Sequence, residues 1–212
     1  MYDTVLFDLD GTLTDPFEGI TNSIVYALKK FGIEVEDKRT LIDFIGPPLV
    51  HSFMKYYGFD LDKANTAVEY YREYFAEKGL YENGVYDGIT YVLSELKASG
   101  KRLIIATCKP EVFAVKILDH FDLTRYFDHI VGATLDLTRA EKTDVIKYAV
   151  KKHKISSAIM VGDRKHDVLG AKNNGLPCIG VTYGYGTKQE LTSAGADYLA
   201  DCPQDILQIL NK

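Results

Sequence analysis

The stretch Val5-Leu6-Phe7-Asp8-Leu9-Asp10-Gly11-Thr12-Leu13 decides how this chain folds and where its chemistry lies. Val5-Leu6-Phe7 reads as a buried parallel strand that ends where the acids begin. On an extended backbone side chains alternate faces, so Asp8 and Asp10 project to one side and Leu9 to the other. Two carboxylates that close repel each other and lose hydration, and a bound cation is the commonest remedy. Gly11 lets the backbone turn sharply and approach a ligand with no Cβ in the way. A metal-assisted aspartyl nucleophile with a neighbouring acid/base fits this arrangement. An EF-hand does not, because Thr12 and Gly19 stand where that loop needs its fifth and twelfth ligands.

A bare D-x-D-G is usually only a solvated strand end, so the weight falls on three further segments. Arg102-Leu103-Ile104-Ile105-Ala106-Thr107 is a second buried-strand pattern, ending in a hydroxyl before Cys108-Lys109-Pro110. Ala158-Ile159-Met160-Val161-Gly162 is a third, ending in Asp163, with Asp167 four residues later. Between them Lys142 opens an amphipathic helix. Parallel sheets bind ligands at the carboxyl ends of their strands, so acids, a hydroxyl and a cation gather at one edge. That outlines a site for phosphate and a divalent metal.

The constellation resembles the haloacid dehalogenase superfamily, in its phosphoglycolate phosphatase-like branch. D-x-D-G-T-L at Asp8 to Leu13, the strand-end Thr107, the isolated Lys142 and G-D-x-x-x-D at Gly162 to Asp167 agree with it in order and spacing. Phe44-Ile45-Gly46-Pro47-Pro48-Leu49, Gly162-Asp163-Arg164-Lys165-His166-Asp167 and Tyr183-Gly184-Tyr185-Gly186 look like its 5'-nucleotidase-like members. The resemblance implies an α/β, Rossmann-like parallel-sheet core with an inserted all-α cap. It implies a phosphatase acting on a small phosphorylated metabolite through an aspartyl-phosphate on Asp8. Asp10 would protonate the leaving oxygen and then activate water. Mg²⁺ would bridge Asp8, the Asp10 backbone carbonyl, Asp163 and a phosphate oxygen. Asp167 would bind the metal through water, or orient Lys142 or Arg164. Thr107 and the N–H groups of Cys108 and Gly11 would hold the phosphoryl group, and Lys142 would offset its charge.

The helical run from Asp15-Pro16-Phe17-Glu18 places Asp15 as a cap, proline at the first helical position, and Phe17, Ile20, Ile24, Ala27, Leu28 and Phe31 on one face. Helical patterns continue to about Gly79, the longest from Asp62 to Lys78, and strand and helix then alternate from about Tyr86. We therefore expect a cap at residues 16–82 and a core at 1–15 and 83–212. The cap would choose the substrate, with Arg72 and His51 its candidate contacts. The cap tyrosines Tyr56, Tyr57, Tyr70, Tyr71 and Tyr74 read as cap core.

A net charge of −5 over 212 residues gives no footprint for a nucleic acid polymer, and no apolar run is long enough to span a bilayer. Three widely spaced cysteines without C-x-x-C read as reduced thiols in a cytoplasmic protein, monomeric or weakly dimeric. Cys108 lacks the phosphate loop and arginine of a cysteine phosphatase, though its position leaves it open to oxidation. No Walker A loop occurs, and Tyr183-Gly184-Tyr185-Gly186 lacks the context of a dinucleotide fingerprint. A dehalogenase lacks an acid at the Asp10 position, a phosphonatase would need a cap lysine forming a Schiff base, for which Lys55 is the one candidate, and a binding module would have lost Asp8 or Asp10. A phosphomutase shares the chemistry of Asp8 and would differ in how long its phosphoenzyme is kept from water; phosphoglycolate is the alternative to a nucleoside 5'-monophosphate as substrate.

Overall fold

Short apolar segments bounded by glycines, acids and prolines set a strand–helix alternation in the computed structural model, which describes residues 2–136 and 138–211. The order is β1 (Thr4–Phe7), β2 (Thr14–Asp15), α1 (Phe17–Lys29), α2 (Leu49–Tyr57), α3 (Leu61–Tyr74), β3 (Gly84–Val85), α4 (Ile89–Ala98), β4 (Arg102–Pro110) and α5 (Glu111–His120). It continues with β5 (His129–Ala133), α6 (Lys142–Lys152), β6 (Ala158–Gly162), α7 (Lys165–Asn173), β7 (Cys178–Val181), α8 (Lys188–Ala194), β8 (Tyr198–Ala200) and α9 (Pro203–Leu210). Contacts divide the chain into two units, one running to Asp15 and resuming at Val85, the other Pro16–Gly84.

The first unit is built on a six-stranded sheet in the order β5-β4-β1-β6-β7-β8. All neighbouring pairs are parallel. Phe7 is in register with Ile105 on one side and Val161 on the other, so the residues following β1 and β6, and the end of β4, reach the same edge. The chain winds from β1 through β4 to β5, then crosses to β6 and on to β8. That reversal beside β1 is the switch point at which open parallel sheets bind ligands. One face packs Leu6, Ile104 and Met160 against Val145, Ile146 and Ala149 of α6 and Val168 and Ala171 of α7. Burying such an aliphatic side chain contributes about 1.5–3 kcal/mol, and this face fixes the height of both helices against the strands.

The second unit is helical: α1 and α2 both pack on α3. Ile20, Ile24, Ala27 and Leu28 of α1 are buried, while Phe17 and Phe31 are half-buried. Two corrections belong here. Asp15 does not cap α1, which begins after Pro16 without a side-chain cap, because its carboxylate accepts the Tyr185 hydroxyl instead. The helix expected from Asp62 to Lys78 ends at Tyr74 and widens into a π turn over Phe75–Gly79, closed by Leu80 N donating to Phe75 O at 2.8 Å. Of the tyrosines, Tyr71 is buried against Phe75 and Tyr57 sits among Phe44, Phe53 and Phe59, but Tyr56 is exposed and its hydroxyl donates to Asp43.

Candidate active site

The sheet ladder continues one residue beyond β1, with Asp8 N donating to Val161 O at 2.9 Å, so the Asp8 side chain starts from a rigid strand end. The backbone then folds back tightly, as Leu13 N and Thr14 N both donate to Leu9 O. Gly11 has φ +79° at this turn, and a Cβ there would lie 2.2 Å from Asp163 Oδ2. Its N–H donates to Thr14 O at 2.8 Å. This corrects the expected role of Gly11: its N–H is engaged inside the loop, and its contribution is the missing side chain that lets β1's loop touch Asp163.

Lys142, the first residue of α6, is buried to 3% exposure. Its Nζ stands 2.8 Å from Asp8 Oδ1 and 2.7 Å from Asp167 Oδ1, and it donates to Ala106 O at 2.9 Å. One ammonium thus pairs with two buried carboxylates while hydrogen-bonding a backbone carbonyl. Burial disfavours the lysine's charge, but the carboxylates of Asp167 and Asp8 outweigh it and hold the pKa above the usual lysine range.

Asp163 follows β6 and is fully buried. Its Oδ2 accepts from Tyr185 N at 2.8 Å, and its Oδ1 has no hydrogen-bond partner in the protein. Burial, then the carboxylates of Asp167 and Asp8, push its pKa well above the ordinary value. Asp167, also buried, accepts from Arg164 N with Oδ2 at 3.0 Å while Oδ1 faces Lys142. Its pKa is pushed up to about 6 by burial, against the opposing charge of Lys142. The Arg164 side chain reaches Glu190, with Nε 3.0 Å from Oε1. Asp167 thus contacts Lys142 through one carboxylate oxygen and the Arg164 backbone N–H through the other. Oxygens of Asp8, Asp163 and Asp167 all lie within 4.8 Å of one another.

β4 brings Thr107, whose hydroxyl accepts from Lys109 N at 3.2 Å, and the half-buried Cys108. Burial pushes the Cys108 thiol up to about 12, so it stays protonated and a poor target for oxidation, contrary to the expectation from its position. Lys109 pairs with Asp10, Nζ to Oδ2 at 2.5 Å. Burial raises the Asp10 pKa, and the Lys109 ammonium opposes that rise. Arg72 lies half-buried on α3 and His51 is exposed on α2, both within the helical unit.

Sequence reasoning missed two contributors. Lys109 is one, set two residues beyond Thr107 on the same face by an extension of β4 to Pro110 that the sequence pattern does not announce. The loop Tyr183–Gly186 is the other: Tyr185 N holds Asp163, Tyr183 Oη donates to Thr12 O at 3.0 Å, and a Cβ on Gly184 or Gly186 would strike Gly11 O or Asp163 O. Two glycines just past a strand of the same sheet edge were the available signal.

The haloacid dehalogenase-like hydrolase family matches residues 5–181, and the chain belongs to it. It is 50% identical over 192 residues to a 5'-nucleotidase of Pseudomonas aeruginosa, covering 90% of this chain and 87% of that one. It is 26% identical to a phosphoglycolate phosphatase of Vibrio parahaemolyticus, over 97% and 95% of the two chains. The crystal structure of a predicted phosphatase from Clostridium acetobutylicum, 53% identical, superposes with a TM-score of 0.97 over 100% of both chains. Family, relatives and solved neighbours define a phosphatase-type hydrolase with a Rossmann-like α/β core.

Proposed function

We propose that the protein is a Mg²⁺-dependent phosphomonoesterase that hydrolyses a small phosphorylated metabolite through an aspartyl-phosphate on Asp8. One observation carries this reading: a buried ammonium, Lys142, touches the candidate nucleophile Asp8 beside two further buried carboxylates. The residues also fit Mg²⁺. The donor set is all oxygen, three carboxylates face one ammonium, and the buried Asp163 Oδ1 has no protein partner. Asp8, Asp163 and the Asp10 backbone carbonyl would hold the ion, with Asp167 beside them. When bound, the ion neutralises and orients phosphoryl oxygens.

The chain's own groups do the rest. Asp8 attacks phosphorus as the ester P–O bond breaks, and Asp10 gives its proton to the leaving oxygen. Asp10 then takes a proton from the water that releases phosphate and regenerates Asp8. Thr107 donates its hydroxyl to a phosphoryl oxygen, and Lys142 offsets charge there as the transition state forms. Asp10 at its position separates this chemistry from dehalogenation.

A nucleoside 5'-monophosphate is favoured over phosphoglycolate by the 50% identity to the 5'-nucleotidase against 26% to the phosphoglycolate phosphatase. Arg72 and His51 are assigned to that choice of substrate. Phosphate release from a panel of phosphometabolites, with Mg²⁺ and with chelator, tests the reading. Nucleoside 5'-monophosphates should lead, turnover should vanish in chelator, and acid quenching should trap phosphate on the wild type but not on Asp8→Asn. Full turnover in chelator, or a trapped phosphate on Asp8→Asn, would overturn it.

A further inference from the structure

β4 continues past Thr107 to Pro110, with an irregular register between Ala106 and Pro110. Alternation along this extension buries Thr107 and Lys109 and leaves Cys108 half-buried between them. The backbone here runs close to Gly132 of β5, where an added Cβ would come within 2.7 Å of Lys109 O and 2.6 Å of Glu111 Cα. Lys109 Nζ is 2.5 Å from Asp10 Oδ2, the two side chains being 5% and 12% exposed. Asp10 Oδ1 is buried and has no hydrogen-bond partner in the protein.

A lysine side chain carries much rotamer entropy and normally keeps its ammonium in water. Here the strand extension buries that ammonium against Oδ2 of Asp10. The other oxygen is buried without a hydrogen-bond partner. A carboxyl that can turn about its last torsion presents either oxygen, and only one geometry suits proton transfer to a bound ester.

We propose that Lys109 is a positioning residue: it holds Asp10 Oδ2, so that Oδ1 is the oxygen that carries the proton to the leaving group. The inference rests on the reading of Asp10 as acid and base given above. In that step the ester P–O bond breaks, a bond forms from Asp8 to phosphorus, and the proton on Asp10 Oδ1 passes to the departing oxygen to give the free alcohol. Lys109 keeps its protons throughout.

The test compares two esters of different leaving group on the full chain with Mg²⁺. One is the alkyl phosphate the enzyme turns over fastest, whose oxygen must be protonated as it leaves. The other is p-nitrophenyl phosphate, whose phenolate leaves unaided. Positioned general acids contribute roughly 10²–10⁴-fold, so Lys109→Met should lose at least about tenfold more kcat/KM, which ends at the transfer to Asp8, on the alkyl ester than on the nitrophenyl ester. Lys109→Gln, which removes the charge but keeps one donor, should show the same selective loss in smaller measure, and it serves alone if the methionine variant does not fold. Asp10→Asn separates the two ideas. Because Asp10 also serves the hydrolysis step common to both esters, the comparison is made on kcat/KM, which ends at the transfer to Asp8: if Asp10→Asn lowers it by one factor for both esters, the acid role of Asp10 fails. If it is selective for the alkyl ester while the folded Lys109 variants lower both esters by one common factor, or lower neither, the positioning role of Lys109 is wrong and that of Asp10 stands.

Discussion

Lys142 is the residue on which the charge balance of the site turns. Its ammonium lies within 2.8 Å of Asp8 and 2.7 Å of Asp167, with all three side chains nearly excluded from water. Removing one partner of a buried ionic group leaves the rest uncompensated, at a cost of about 3–5 kcal/mol. Lys142→Met keeps the length of the side chain, so the loss isolates the charge. In chelator at neutral pH this variant should unfold in urea with a stability lower by about that amount. Part of the loss should return at pH 5, where Asp167, its carboxyl already pushed up to about 6, can take up a proton in place of the missing ammonium. A change below about 1 kcal/mol, the worth of an exposed ion pair, would show that Lys142 does not neutralise the cluster.

At the scale of elements, the strands were legible because each is an apolar run ended by a functional residue: Phe7 before Asp8, Ala106 before Thr107, Gly162 before Asp163. Lys142 was legible as the opening of α6. What escaped was the part of the site made by loops and by strand irregularity. No alternation rule announces that β4 persists to Pro110 and buries Lys109, since a lysine before a proline reads as a solvated strand end. The short β8 and α8 carry weak patterns and were not expected; α9 was not expected either, although Pro203 opens it and Ile206 and Leu210 share its buried face; and the π turn at Phe75–Gly79 is indistinguishable in periodicity from a helix that runs on. The loop after β7 is the clearest case, because its function lies in two absent side chains. A Cβ on Gly184 would stand 2.2 Å from Gly11 O and 2.5 Å from Asp163 Cβ, against backbone that cannot yield cheaply. Gly184→Ala should therefore shift either the loop or Asp163, and outer partners of metal ligands commonly contribute 10–100-fold to affinity. Calorimetric titration of Mg²⁺ should show at least about a tenfold weaker site in the folded variant. An unchanged affinity would mean that the loop only covers Asp163 and does not hold it.

For the whole molecule, the acids at the end of the sheet make stability, metal and pH one linked quantity. The Asp167 carboxyl is pushed up to about 6 from an ordinary 3.8, and burial raises that of Asp163 in the same direction. Between pH 4 and 6 the metal-free folded protein then binds more protons than the unfolded chain. Stability is greatest below the unfolded value and declines as pH rises through the window, by about 3 kcal/mol for Asp167 alone at 1.36 kcal/mol per unit. Lys142 does not blur this, because its raised pKa changes its contribution only at alkaline pH. A divalent ion needs the same carboxylates deprotonated, so at low pH it must displace protons to bind. Mg²⁺ should accordingly raise the melting temperature strongly at pH 7.5 and little at pH 5, with protons released on binding near pH 6. The stabilisation follows RT ln(1 + [Mg²⁺]/Kd), about 2.7 kcal/mol at a hundredfold excess over Kd, which is several degrees for a chain of this size. Asp163→Asn should reduce the pH dependence of the Mg²⁺ effect along with the effect itself, because it removes an acid that has to ionise for the ion to enter. An equal rise at both pH values in the wild type would place the ion on exposed carboxylates, away from the buried cluster at the end of β1 and β6.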